Sequence, residues 1–278
     1  MSSDSNCDIA ALSENSFARL AKFVTRELGI KMPEAKLPMV QSRLIRRTRE
    51  LGFPSVEKYA EYCFNSPDAA DERVHFIDAI TTNKTDFFRE PGHFEYLTTR
   101  VLPGFEGGRP FRAWSAGCSS GEEPYTLAMV LSEFAAQRRG FDFAIFASDI
   151  STRVLSRAAA GVYEETQIQP VDPALRKRYL LRSRDTTRKQ VRIIPELRRR
   201  VTFERLNFMD SQYYTGGSFD AIFFRNVMIY FERKTQEDVV NRMCRNLRNG
   251  GFLFVGHSES LAGLDVGLTQ VGPAIYRK

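Results

Sequence analysis

The residues best suited to chemistry begin with a turn of small side chains. Phe111-Arg-Ala-Trp-Ser115 reads as a short apolar strand, Ala116-Gly-Cys-Ser-Ser-Gly121 as a turn, and a helix follows through Leu127 and Leu131. Gly117 and Gly121 let backbone approach a ligand closely, and the turn falls at the carboxyl end of a strand, where open α/β sheets bind ligands. A complete Gly-x-Gly-x-x-Gly is absent, and the turn runs straight into Glu122 and Glu123. Acids at a helix N-terminus suit the helix dipole but repel a pyrophosphate. The segment therefore predicts a nucleoside-type ligand with a cationic or neutral tail; a plain strand–helix turn with capping acids is the alternative.

Asp149 directly follows a second apolar strand, Phe143-Ala-Ile-Phe-Ala147. A strand-end acid in a nucleoside-binding sheet accepts hydrogen bonds from ribose hydroxyls, whereas alone it more often starts a turn or caps a helix. Paired with the glycine turn, the ribose role is the better reading. A rival reading uses the same turn: Gly117-Cys-Ser119-Ser-Gly121 matches Gly-x-Ser-x-Gly, the nucleophile elbow of α/β hydrolases. His257 downstream, with Asp149 or Asp220, would complete a Ser…Asp…His order. No His-Gly-Gly-Gly-type oxyanion loop precedes the elbow, and the sheet upstream of it is too short for that fold. His75, His93 and His257 form no i,i+3 or i,i+4 pair, and Cys7, Cys63, Cys118 and Cys244 include no Cys-x-x-Cys, so no metal site is expected.

The elements that position these residues fall into two textures. Up to about residue 80 the chain reads as short helices. Phe17, Leu20, Val24 and Leu28 share one face between Ser13 and Gly29; Val40, Leu44 and Leu51 mark a second helix closed by Gly52; Pro54-Ser55 opens a third through Tyr59 and Tyr62; Val74, Ile77 and Ile80 mark a fourth. After Pro103 strands and helices alternate: 111–115, 143–147, a helix over 152–160, a strand over 219–224, a helix over 235–247, a strand over 252–255 behind Gly250-Gly251, and a closing strand over 274–276. That order predicts a mostly parallel sheet covered on both faces. Val191-Arg-Ile-Ile194 reads as a strand of a small unit that interrupts the alternation.

With 278 residues, 42% hydrophobic and 27% charged, the chain is a folded protein rather than a disordered or disulfide-scaffold one. The N-terminal Met-Ser-Ser-Asp-Ser-Asn has no basic or apolar leader pattern, and the longest apolar run, 221–231, carries Arg225 and Asn226. A cytoplasmic protein without membrane insertion is expected. The net charge of +6 is local: Arg176 to Arg200 holds eleven basic residues against Asp185 and Glu196, while the remainder is slightly acidic. An acidic partner for that segment follows.

Thr82-Asn-Lys-Thr-Asp-Phe-Phe-Arg-Glu90, Ala116 to Tyr125, Ala147-Ser-Asp-Ile150, Phe224-Arg-Asn-Val-Met-Ile-Tyr-Phe231 and Gly256-His-Ser-Glu259 closely resemble the CheR chemotaxis receptor methyltransferases, from about residue 15 to the end of the chain. The resemblance implies an α/β fold: a Rossmann-like S-adenosylmethionine methyltransferase domain over 81–278, a small antiparallel β subdomain inserted at 162–203, and an all-helical N-terminal domain over 1–80. It implies methyl transfer from S-adenosylmethionine to receptor glutamates, leaving S-adenosylhomocysteine. A sulfonium explains acids, rather than a phosphate nest, around the glycine turn.

On the matching motifs, the resemblance assigns cofactor contacts to Asn83, Thr85, Arg89, Gly117, Glu123, Asp149, Asn207, Phe208, Arg225 and Asn226. Arg89 and Tyr230 match residues placed near the methyl group. By spacing alone, Tyr230 would be a core aromatic and Asn207 and Arg225 ordinary loop polars. Arg43, Arg46, Arg47 and Arg49 lie largely away from the apolar face of the second helix. In the family that helix faces the acidic methylation region of the receptor's cytoplasmic helices. The basic insertion aligns with a subdomain that grips an acidic C-terminal receptor peptide in some members, but Arg182 to Gln190 lacks the glycine expected of that loop. Nucleic-acid methylation competes for the basic surfaces, without the Asn-Pro-Pro-Tyr-type motif it would need, so no nucleic-acid partner is expected. Nothing demands a dimer, and a monomer is expected.

Overall fold

A computed structural model describes residues 12–278 except residue 186, so Cys7 lies outside the described residues. The chain divides into two compact units between Thr82 and Asn83.

The first unit contains α1 (Glu14–Leu28), α2 (Leu37–Glu50), α3 (Val56–Asn65) and α4 (Ala70–Ile80). The Ser13 side chain accepts from the Ser16 N–H at the start of α1, and Gly29, at φ +70°, ends it. Ser55 caps α3 in the same way through the Lys58 N–H. The α1 face Phe17, Leu20, Val24 and Leu28 is fully inside, each side chain stabilising the unit by about 1.5–3 kcal/mol. Leu51 is a correction to the sequence reading. It sits one residue beyond α2 and is 42% exposed, because the buried stripe runs 40, 44, 48 and takes Thr48 instead. Thr48 satisfies its hydroxyl by donating to the Leu44 carbonyl at 2.9 Å.

The second unit contains α5 (Gly92–Tyr96), β1 (Phe111–Ala116), α6 (Glu122–Gln137), β2 (Phe143–Asp149), α7 (Thr152–Ala160), β3 (Val162–Glu164), α8 (Pro173–Tyr179), β4 (Leu180–Arg182), β5 (Gln190–Ile193), α9 (Pro195–Arg198), β6 (Val201–Arg205), β7 (Phe219–Phe224), α10 (Arg233–Asn246), β8 (Leu247–Val255), β9 (Thr269–Gly272) and β10 (Ile275–Arg277). Seven strands form one sheet in the order β6-β2-β1-β7-β8-β10-β9. Neighbours from β6 to β8 run parallel, and β10 is antiparallel to both β8 and β9. The chain leaves β1 towards β2 and β6, then crosses back to β7, so the strand order reverses beside β1. Trp114, Phe111, Phe219, Phe223, Phe224 and Phe254 are buried in the layers this sheet supports.

A separate antiparallel sheet, β3-β5-β4, forms the inserted unit. The boundary expected at residue 203 needs correcting, because β6 pairs with β2 in register from Ile145↔Val201 to Asp149↔Arg205. Residues 201–203 therefore belong to the large sheet. The expected helix over 235–247 ends at Asn246, and Leu247 already begins β8. Gly250 and Gly251 lie inside β8 at a register shift, where Phe219 faces Leu247 and Ala221 faces Phe252. Among the described residues no helix is long and apolar enough to cross a membrane.

Candidate active site

The carboxyl ends of β1, β2 and β7 converge on the small-residue turn. The Gly117 and Cys118 N–H groups both donate to the Ser148 carbonyl, at 2.8 and 2.9 Å, which pulls the turn across the end of β2. Gly117 has φ +81°, and a Cβ there would lie 2.6 Å from Val227 Cγ2, so only glycine fits. Gly121, at φ +97°, begins α6 against the Tyr163 hydroxyl and Ala158. Asp149 is 7% exposed. Its Oδ2 accepts the Ser119 N–H at 2.9 Å and its Oδ1 the Ser151 N–H at 3.0 Å. The carboxylate thus ties the turn to the head of α7.

The hydrolase arrangement does not form. The Ser119 hydroxyl donates to the Asn83 carbonyl at 3.0 Å, and Asp149 takes the Ser119 amide rather than an imidazole. His257 packs edge-on against His93, 4.8 Å between ring centres. Asp220 is the second residue of β7, at the far end of the strand, and pairs there with Arg109.

A second network centres on Arg225, just past β7, whose side chain is 2% exposed. Its guanidinium reaches Glu90 Oε2 at 3.0 Å and Glu123 Oε2 at 3.1 Å, and donates to the Arg89 carbonyl. Ser115 at the end of β1 donates to the other Glu123 oxygen at 2.7 Å. Burial pushes the Glu123 carboxyl above the usual range, against the pull of Arg225 and Ser115. Glu90 moves the other way although both carboxylates share Arg225. Burial raises it too, but it is outweighed by Arg225, the Asn226 amide and the His257 N–H. Phe88, Glu90 and Asn226 adopt left-handed backbone at φ +53°, +55° and +60°. Such conformations persist only where the surroundings impose them.

Glu90 and Glu259 both lie in motifs of the sequence reading but were given no role there. Glu259 accepts the Gly256 and Asn226 N–H groups on one oxygen, at 2.6 and 2.8 Å, and the Ile229 N–H on the other at 3.3 Å. It therefore shapes the 226–230 turn that carries Tyr230. Glu90 carried a signal, an acid directly behind Phe87-Phe-Arg89, whereas Glu259 sits in a polar turn four residues past β8 and carried none. Tyr230 is half-buried rather than a core aromatic.

Asn83 joins the first network through its carbonyl, and Thr85 is half-buried nearby in the chain. The Arg89 guanidinium, half-buried, donates to the Lys84 carbonyl at 3.2 Å. Leu206 donates to the Asp149 carbonyl, which brings Asn207 and Phe208 beside β2. Asn207 Oδ1 accepts the Met209 N–H, and Phe208 packs edge-on against Phe224 at 5.1 Å. The helical unit holds the four α2 arginines. Arg43 donates to the Ile80 and Thr81 carbonyls, and Arg47 grips Glu72 with two bonds of 2.8 and 2.7 Å. Arg46, 88% exposed, pairs with Glu50, and Arg49 is exposed. Several cations of the basic segment also have internal partners: Arg176 caps carbonyls, while Arg178 and Arg200 pair with Glu133 and Asp142.

Folding also brings together Glu90, His93 and His257, whose ligand-type atoms lie within 4.8 Å of one another. Glu90 and His93 stand three residues apart in the sequence, whereas His257 joins them only in the fold. Arg225 already occupies the Glu90 oxygen that a cation there would need. His93 is 1% exposed, and burial, then Arg225, lower its pKa to about 4. Since the unfolded chain takes up this proton near 6.5, folded stability falls as pH drops through the window from 6.5 to 4. Denaturant unfolding at about pH 7 and about pH 5 should differ by roughly 2 kcal/mol more for the wild type than for His93→Gln. Equal differences would show that His93 does not titrate in this window.

The reversed strand order, the glycine turn and the acid closing the second strand define a Rossmann-like domain of the nucleoside-binding class, and the family match below makes it an S-adenosylmethionine-binding methyltransferase domain. Residues 83–274 match "CheR methyltransferase, SAM binding domain", and residues 15–81 match "CheR methyltransferase, all-alpha domain". The chain belongs to the CheR methyltransferase family. It is 37% identical to the chemotaxis protein methyltransferase of Salmonella typhimurium, covering 96% of this chain and 91% of that protein. It is also 37% identical to the chemotaxis protein methyltransferase of Borreliella burgdorferi, covering 96% and 95%. Among solved structures, an O-methyltransferase family protein from Burkholderia thailandensis overlaps 72% of this chain and 43% of its own, at 14% identity and a TM-score of 0.37.

Proposed function

We propose that this protein methylates glutamate side chains on the cytoplasmic helices of chemoreceptors, using S-adenosylmethionine and releasing S-adenosylhomocysteine. The observation that carries the reading is Asp149, bonded across to the Ser119 amide of the glycine turn at the carboxyl ends of β1 and β2. The donor set suits a nucleoside with a positive tail: Asp149 supplies one negative charge, and Glu90 and Glu123 together outnumber their shared cation Arg225. S-adenosylmethionine supplies a methyl group already activated by its positive sulfur.

In this reading Asp149 holds the ribose, and Gly117 gives the cofactor close access to backbone. Asn83, Thr85 and Arg89 lie over it, Asn207 and Phe208 flank the adenosyl end, and Glu123, Arg225 and Asn226 the methionyl end. A glutamate substrate, with a pKa of about 4.3, is already ionised and needs no general base. The work left to the chain is alignment and exclusion of water. Arg89 steers the carboxylate, and Tyr230 orients it with one hydrogen bond. The exposed Arg46 and Arg49, alongside Arg43 and Arg47, face the acidic receptor helices. The basic insertion is a further surface for an acidic receptor peptide. The protein acts in the cytoplasm as a monomer.

The test is transfer of labelled methyl to a receptor cytoplasmic fragment, together with calorimetry of S-adenosylhomocysteine. Binding without transfer to any glutamate-bearing fragment would remove the receptor assignment; a folded protein that binds neither ligand would remove the methyltransferase reading. Tyr230→Phe should lower the transfer rate by about 10- to 100-fold, while S-adenosylhomocysteine affinity stays within about twofold. An equal loss in both would make Tyr230 a cofactor residue instead.

A further inference from the structure

A cavity of about 400 Å³ opens at the amino ends of β1 and β7, the opposite end of the sheet from the glycine turn. It is lined by four arginines, Arg100, Arg109, Arg248 and Arg277, against two acids, Asp220 and Glu106. Asp220 is 8% exposed and already committed. It accepts both terminal nitrogens of Arg109, at 2.7 and 2.5 Å, and the Arg112 N–H at 2.9 Å. The same carboxylate stands 3.6 Å from Arg248 Nε, which is buried and makes no hydrogen bond. Among the described residues, neither Arg100 nor Arg277 pairs with a carboxylate.

Two of these cations are held by aromatic rings. Arg109 lies 4.9 Å from the centre of Phe105, and Arg277 lies 5.7 Å from that of Phe252. Gly107 and Gly108, both left-handed, bring a loop to this end of the sheet where an added Cβ would meet nothing within 4 Å. The result is a roomy recess with planar cations fixed on its walls and a deficit of negative charge. Guanidinium forks match phosphate oxygens in shape and charge, and a recess of this size holds a nucleotide-sized molecule.

We propose that this recess binds a small phosphorylated molecule, with its phosphates on Arg248, Arg277 and Arg100. Arg109 is held in place by Asp220 as the floor of the site. The site is separate from the cofactor turn and does not depend on the function proposed above.

Calorimetry on the full chain tests it, with inorganic pyrophosphate and ADP as probes and S-adenosylhomocysteine already present. Either probe should bind once per chain, with a dissociation constant below about 1 mM. Equal affinity for the two would mean that phosphate alone is read; ADP binding about tenfold tighter would mean that a nucleotide is. Arg100→Ala/Arg277→Ala, which breaks no ion pair, should weaken binding at least about tenfold, and Arg248→Ala should do the same. Both variants should keep the wild-type S-adenosylhomocysteine affinity, and the double variant the wild-type melting temperature; Arg248→Ala, which removes a cation 3.6 Å from Asp220, lowers it modestly. Three results would overturn the proposal: no heat from either probe at about 10 mM, binding unchanged in both variants, or competition between a probe and S-adenosylhomocysteine. A separate titration of S-adenosylhomocysteine alone reports whether the cofactor site itself binds.

Discussion

Asp149→Ala is expected to weaken S-adenosylhomocysteine binding by about 100-fold or more, while the protein stays folded. Two losses combine. The carboxylate that would accept the ribose hydroxyls is gone, and charge-assisted bonds of this kind are worth about 1.5–3 kcal/mol each. The Ser119 and Ser151 amides also lose their shared acceptor, so the turn is no longer drawn against the head of α7. Asp149→Asn separates the two effects. It keeps one acceptor oxygen but no charge, and should recover part of the lost stability while leaving affinity low. Calorimetry reads the affinity and thermal unfolding the stability. Unchanged affinity in Asp149→Ala would place the nucleoside elsewhere.

Arg225→Ala should be the most destabilising single change at the site, by about 3–5 kcal/mol, with transfer activity lost. The guanidinium is almost completely enclosed and is the shared cation for Glu90 and Glu123, each 14% exposed. Removing it leaves two carboxylates in one enclosure and an unpaired carbonyl at Arg89. Without the cation both carboxyl groups favour the protonated form, so the stability gap to wild type should narrow as pH falls from about 7 to about 5. Urea unfolding at both values measures it. A gap that is small, or constant with pH, would mean that the two carboxylates do not depend on Arg225.

How much of this was open to reading from the sequence varied with the kind of residue. Local rules carried the helical unit almost whole, because Ser13, Gly29 and the 17, 20, 24, 28 stripe act within a few residues of one another. They erred at Leu51, where the apolar pattern ran past the end of the helix. The glycine turn and Asp149 were legible for the same reason: strand, turn and acid follow one another directly. β6 was not, since a five-residue strand at a sheet edge with exposed alternate residues has no run of apolar side chains.

By itself the sequence determined the class: alternating strands and helices behind a helical unit, a glycine turn running into acids, and five ordered motifs. Only the tertiary structure decided which charges meet. Glu90 and Arg225 are 135 residues apart in the chain, Asn226 and Glu259 33 apart, and Arg109 and Asp220 111 apart. An ion pair in a low-dielectric interior depends on distances of a few ångströms, and those are set by which strands neighbour each other. Spacing along a chain carries local geometry, whereas the crossover that puts β7 beside β1 is a property of the whole sheet.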